Sequence, residues 1–160
     1  MLFKSKRKTI FLIAAVLWMT VIFLFSSRNG DTSAQDSGRI GRLVGEIFVP
    51  GFKDWDADRQ TVFAGTVDHP IRKAAHASEY AVLGILIFGV VYERRKSRVR
   101  CLFLPWLLGT AYAATDELHQ LLVPGRSGQV SDVVIDSAGV LAGVLVISVL
   151  SLAVTNRKKE

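Results

Sequence analysis

Residues 71–92 read IRKAAHASEYAVLGILIFGVVY. From Ala81 the stretch is apolar, but its first half carries Arg72, Lys73, His76 and Glu79. As a helix it extends about 33 Å, enough for a hydrocarbon core of about 30 Å. A helix that is apolar at one end and ionisable at the other must turn its polar half toward protein or a wet cavity. That combination makes the chain a membrane protein with something to hold, and the rest of the sequence fits.

Three further segments can span: 9–25 (TIFLIAAVLWMTVIFLF), 101–123 and 133–154. With 71–92 they predict an all-α fold, a four-helix transmembrane bundle over residues 9–154. Residues 26–70 form its first external loop. The composition agrees: 50% of the 160 residues are hydrophobic and only 21% charged, with a mean hydropathy of +0.33. The net charge of +6 lies in short clusters beside apolar runs, which argues against nucleic acid as a partner. The single cysteine, Cys101, excludes an intramolecular disulfide and a cysteine-built zinc site. The first apolar run follows a basic start, as in a signal peptide. It is longer than an h-region and has no A-x-A site after it, so it reads as an uncleaved helix.

Lys and Arg counts orient the bundle. Lys4, Lys6, Arg7 and Lys8 precede the first span. The loop 93–100 holds Arg94, Arg95, Lys96, Arg98 and Arg100, and the tail ends in Arg157, Lys158 and Lys159. Only Arg126 lies between the third and fourth spans. The positive-inside rule therefore places both termini on the cytoplasmic side of a multi-pass protein, with 26–70 and 124–132 outside.

The external loop has structure of its own. Ile40, Leu43, Val44, Ile47 and Phe48 follow a helical apolar period, and Pro50-Gly51 breaks it. Trp55, Val62, Phe63 and Val67 suggest a second amphipathic stretch, after which Asp68-His69-Pro70 starts the second span. Such helices either lie on the outer membrane surface or pack on the bundle.

The ionisable residues gather toward the outer ends. Arg72, His76, Glu79 and Leu83 share a face of the second span; Tyr112, Asp116 and His119 share a face of the third, with Gln120 beside it and Glu117 about 100° from Asp116. Asp132 and Asp136 share a face of the fourth that continues into Gly139 and Gly143. The inner halves lack ionisable residues, which speaks against a transport path. Individually these residues have plain explanations: His76 as a core hydrogen-bonding group, Glu79 paired with Arg72 or His76, Asp132 as an N-cap, Gly139-x-x-x-Gly143 as close helix packing. Together they predict a polar pocket open to the outer face.

Two histidines among carboxylates can form a general acid–base system. His76, Glu79, Asp116, Glu117, His119, Asp132 and Asp136 are the catalytic candidates, and Arg72, Tyr80, Gln120 and Arg126 the substrate-binding ones. Arg126, in Pro124-Gly125-Arg126-Ser127-Gly128, suits an anionic head group. The same acids and histidines can also hold a divalent metal, but no tight ligand motif is present, and cofactor and metal stay open.

Four strings together resemble the VanZ-like family of bacterial integral membrane proteins: Arg72-Lys73-x-x-His76-x-x-Glu79-Tyr80, Thr115-Asp116-Glu117-x-His119-Gln120, Pro124-Gly125-Arg126, and Asp132-x-x-x-Asp136-x-x-Gly139. Phe25-Ser26-Ser27 is similar as well. The resemblance implies an envelope membrane protein with a link to teicoplanin-type glycopeptide resistance. It also implies action on phospholipid head groups or lipid-linked envelope precursors, whose lipids are then the partners; no motif names a protein partner. The alternative is a non-catalytic protein that binds or shields at the outer membrane surface, relying on Ile40, Leu43, Phe48 and Trp55.

Overall fold

A computed structural model describes residues 2–93 and 97–157. Arg94, Arg95, Lys96, Lys158 and Lys159, part of the charge count above, lie outside the described residues. The described chain is all-helical: α1 (Leu2–Ser26), α2 (Gly30–Phe48), a short 3-10 turn (Phe52–Asp54), α3 (Ala57–Val91), α4 (Arg98–Gln120) and α5 (Val130–Arg157).

Side chains cap the starts of α2 and α3. Asn29 accepts from the Thr32 amide at 2.8 Å, and Asp56 from the Arg59 amide at 2.7 Å. Where α2 must stop, Pro50-Gly51 follows, and Gly51 has φ 72°, a left-handed conformation that side chains disfavour.

One expectation fails at Pro70. The second span does not begin there: α3 starts at Ala57 and runs through the proline for 35 residues, about 52 Å. Proline removes one helical hydrogen bond and crowds the preceding turn. Here that loss falls at an exposed position, while α2 braces the helix on its other side. Gly41 lies so close to Ala64 that a Cβ would meet its Cα at 3.1 Å, and the Ser37 hydroxyl donates to the Asp68 carboxylate. The second amphipathic stretch is therefore the N-terminal part of the long helix α3 and not a separate element. Its apolar residues pack in the hairpin, where Phe52, Trp55 and Phe63 form an aromatic cluster with centroids 5.2–6.1 Å apart.

Three helical stretches are long and apolar enough to cross a membrane: Lys6–Ser26, Ala57–Val91 and Val130–Ala153. The sequence predicts four spans, and α4 is the exception. At 23 residues it is long enough, but Trp106, Tyr112, Thr115, Asp116 and Glu117 dilute its apolarity. It packs against α3 and α5 instead of standing apart. The apolar residues left exposed on α1 and α5, such as Leu17 at 62% and Val149 at 64%, are what a protein with lipid around it presents. The chain is a membrane protein.

Helices α3 and α5 form the central seam. A Cβ on Gly139 would strike the Ala77 carbonyl, and one on Gly143 the Ala81 carbonyl. Rising residue numbers on both sides make the pair parallel. Small residues let two backbones approach where lipid removes the usual hydrophobic drive, so Gly139-x-x-x-Gly143 is a packing motif. Val140 fills the next level, fully buried against Gly84 of α3 and Gly109 of α4. Helix α1 runs antiparallel to α3: Trp18 Nε1 donates to the Glu79 carbonyl at 2.9 Å, and Lys8 pairs with Glu93 at the far end.

Candidate functional site

The polar ends of α3, α4 and α5 meet with the loop 121–129 around a cavity of about 170 Å³, several times the ~30 Å³ share of one water. Arg72, Lys73, His76, Gln120, Arg126 and Asp136 are among its walls. A second, larger groove of about 450 Å³ lies between the C-terminal end of α1, α2 and α3. Apolar Phe25, Ile40, Ile71 and Ala75 line it together with Glu79. Arg72, His76 and Arg126 border both spaces, so these three side chains are the partition between a polar cavity and a mostly apolar groove.

The ion pairs differ from the sequence expectation. Arg72 does not pair with Glu79; it reaches one turn back to Asp68 at 2.7 Å. Glu79 is left in the groove with no ion pair among the described residues. Asp132 is not an N-cap, because α5 already begins at Val130. It sits in the first turn, where a carboxylate suits the helix dipole, and binds Lys73 at 3.0 Å. The sequence signals this role of Lys73 only by its spacing, three residues before His76 on the same side of the helix.

Arg126 is held by the end of α1. Its Nε donates to the Arg28 carbonyl at 3.1 Å and Nη2 to the Phe25 carbonyl at 3.4 Å, so the guanidinium also complements the negative end of that helix. Burial first, and the neighbouring Arg72 second, lower its pKa from the ordinary value, yet a guanidinium stays charged at any physiological pH. The loop is set by Gly125, which at φ 72° abuts Gly30, and by Gly30 N donating to the Pro124 carbonyl at 3.1 Å.

Glu117 and Gln120 build the cavity more than they face it. Buried Glu117 accepts from the Gln129 amide at 2.9 Å through Oε2 and from Gln120 Nε2 at 3.2 Å through Oε1. It clamps the returning loop to the end of α4. Glu117→Ala leaves the Gln129 amide without this acceptor, which costs about 1–3 kcal/mol. Hydrogen exchange at Gln129 is expected to accelerate by one to two orders of magnitude; unchanged protection would show that the clamp does not hold the loop.

The other face of α4 goes elsewhere. Tyr112 donates to the Met19 carbonyl at 2.7 Å. Asp116 accepts from Ser26 Oγ at 2.7 Å and from Gln120 at 3.2 Å. His119 stacks on Phe23 with centroids 4.6 Å apart and places Nε2 3.1 Å from Ser27 Oγ. His119 borders neither cavity, whereas His76 borders both. Ser26 and Ser27, which meet α4 here, belong to the Phe25-Ser26-Ser27 string.

A further group of polar atoms is buried without hydrogen-bond partners: His76 Nδ1, Tyr80 Oη, Asp116 Oδ1 and both oxygens of Asp136. The Tyr80 hydroxyl is turned toward Asp116 without completing a good hydrogen bond. Buried polar groups are nearly always satisfied, and a cluster of exceptions calls for an explanation such as a ligand or water. Among the described residues, no three His, Cys, Asp or Glu side chains converge as a metal site.

Comparison with curated proteins and with solved structures finds no match. The model of one protein family, described as VanZ/LLP1, matches residues 11–151, which takes in α1 from Phe11 onward, α2 to α4, α5 as far as Ser151, both cavities and the α3·α5 seam. The chain belongs to the VanZ/LLP1 family.

Proposed function

We propose that this protein acts on the phosphate-bearing head groups of membrane lipids or lipid-linked envelope precursors, through a pocket on the outer side of the membrane. The observation that carries this reading is the shared partition of Arg72, His76 and Arg126 between a polar cavity and an apolar groove. An amphiphile needs both compartments, with its ionic group beside the guanidinium groups and its hydrocarbon in the groove. The protein crosses the membrane four times, α4 included, with both termini cytoplasmic; the basic residues near the inner helix ends support this. Membership of the VanZ/LLP1 family supports a link to glycopeptide resistance, which this proposal extends to the teicoplanin type.

His76 and Glu79 are the acid–base pair. His76 takes the proton of an attacking water or hydroxyl as its oxygen bonds to phosphorus. Glu79 gives a proton to the ester oxygen that departs. Arg72 and Arg126 hold the phosphate. Asp116 and Tyr80 fix the wall behind it, and Asp132 keeps Lys73 at the cavity. His119 positions the end of α1 against α4.

The test compares envelope lipids by mass spectrometry in cells making wild type or His76→Gln at matched membrane levels. A lipid species that changes with wild type alone supports the reading. Identical lipids in both strains overturn it. One observation favours a second reading. Ile40, Leu43, Ile47 and Phe48 leave an apolar stripe of α2 exposed, 47–74% each, as a protein that shields the outer surface without chemistry needs. In that case glycopeptide susceptibility follows Leu43→Ser and Phe48→Ser and ignores His76→Gln.

A further inference from the structure

The charges around the polar cavity do not all cancel. Arg72 is neutralised by Asp68 at 2.7 Å and Lys73 by Asp132 at 3.0 Å. What remains is one guanidinium, Arg126, bound only to carbonyl oxygens, and one carboxyl, Asp136. Asp136 is 1% exposed, borders the cavity, and has no partner for either oxygen. The groups that act on it electrostatically are all acids: Glu117, Asp116, Asp132 and Glu79. Among the described residues no cation pairs with it, although a buried carboxyl without one is costly.

A cavity with an unpaired cation and an unpaired acid is complementary to a ligand that carries both signs. We infer that it recognises a zwitterionic amino-phosphate, with the phosphate on Arg126 and a primary ammonium on Asp136, as in an ethanolamine phospholipid head group. The inference rests on the head-group reading above and narrows it. A compact ammonium with three donors suits an acid whose two oxygens are both unpartnered, and Asp116 and Tyr80, which interact electrostatically with it, each leave a further oxygen unpartnered behind the wall. A purely anionic head group fills the Arg126 end and leaves Asp136 as it is. The acyl chains lie in the adjoining groove, which separates the lipid from soluble glycerophosphoethanolamine: both offer the same charges, but only the lipid uses the groove.

The experiment measures binding of fluorescent phosphatidylethanolamine and phosphatidylglycerol to the full chain in phosphatidylcholine nanodiscs. A charge-assisted hydrogen bond contributes about 1.5–3 kcal/mol, so wild type is expected to prefer phosphatidylethanolamine by about tenfold or more. Asp136→Asn, close in shape, is expected to lose that preference and keep its affinity for phosphatidylglycerol. Asp136→Ser, with a melting curve matching wild type, guards against a folding effect of the amide. Soluble glycerophosphoethanolamine is expected to displace the lipid only at far higher concentration. Equal binding of the two lipids by wild type, or an ethanolamine preference that survives Asp136→Asn, overturns the inference and leaves the head-group reading standing. Binding of neither lipid overturns both.

Discussion

Gly143→Leu is expected to destabilise the folded bundle by about 3 kcal/mol or more. A Cβ at this position meets the Ala81 carbonyl group, with its carbon at 2.7 Å and the Ala81 Cα at 3.0 Å. Both atoms belong to the backbone of a helix and cannot rotate away as a side chain can. The helices must part along the whole seam, which also undoes the contact of Gly139 with Ala77 and the seat of Val140. Overpacking typically costs about 1–3 kcal/mol when side chains can adjust, and here they cannot. Against a total stability of about 5–15 kcal/mol, a loss of about 3 kcal/mol or more lowers Tm by roughly 6–12 °C. Melting in detergent, followed by size-exclusion chromatography, measures it. Gly65→Ala is the control: nothing lies within 4 Å of its added methyl, and helix propensity favours alanine. A Gly143→Leu protein that melts like wild type would mean that α3 and α5 do not meet on this line.

Arg126→Lys is expected to reduce head-group affinity by about ten- to a hundredfold although the charge is kept. The guanidinium does two things at once: Nε and Nη2 grip the carbonyls at the end of α1, and its remaining face borders both cavities. Lysine, as a point charge, can satisfy one side or the other. The lost charge-assisted hydrogen bonds are each worth about 1.5–3 kcal/mol. Lipid binding in nanodiscs reads the first effect. Hydrogen exchange in residues 25–30 reads the second, since α1 loses its tie to the loop. If lysine restores both, Arg126 acts through charge alone and the partition has no bidentate role.

Much of this was legible in the residues. Apolarity is a local property, so the three strong spans and the polar outer ends can be read directly from 9–25, 71–92 and 133–154. Helical spacing identified Arg72, His76 and Glu79 as one face and Gly139 with Gly143 as another, and it put the polar residues at one end of the bundle. Periodicity fixes the angle of a residue about its own axis and says nothing about which helix stands at that angle. That is why His119 was grouped with His76. On α4 the face of Tyr112, Asp116 and His119 meets α1, whereas Gln120 meets the cavity and Glu117 the loop beside it.

Packing also decided which charges remain. By spacing alone Arg72 could serve Glu79 as well as Asp68, and only the bundle gives Arg72 to Asp68 and Lys73 to Asp132, leaving Arg126 and Asp136 unmatched at the polar cavity and Glu79 unmatched in the groove. Pro70 is the same lesson in the backbone. Local chemistry says that a helix begins there, but contacts of α2 along residues 61–68 outweigh one missing hydrogen bond. The sequence by itself determined that the chain enters a membrane and gathers its polar residues at one end of its helices, because hydropathy and helical faces need no partner. Which of those polar groups face each other, and which two are left to meet a ligand, was decided by the close approach of α3 and α5 through glycine.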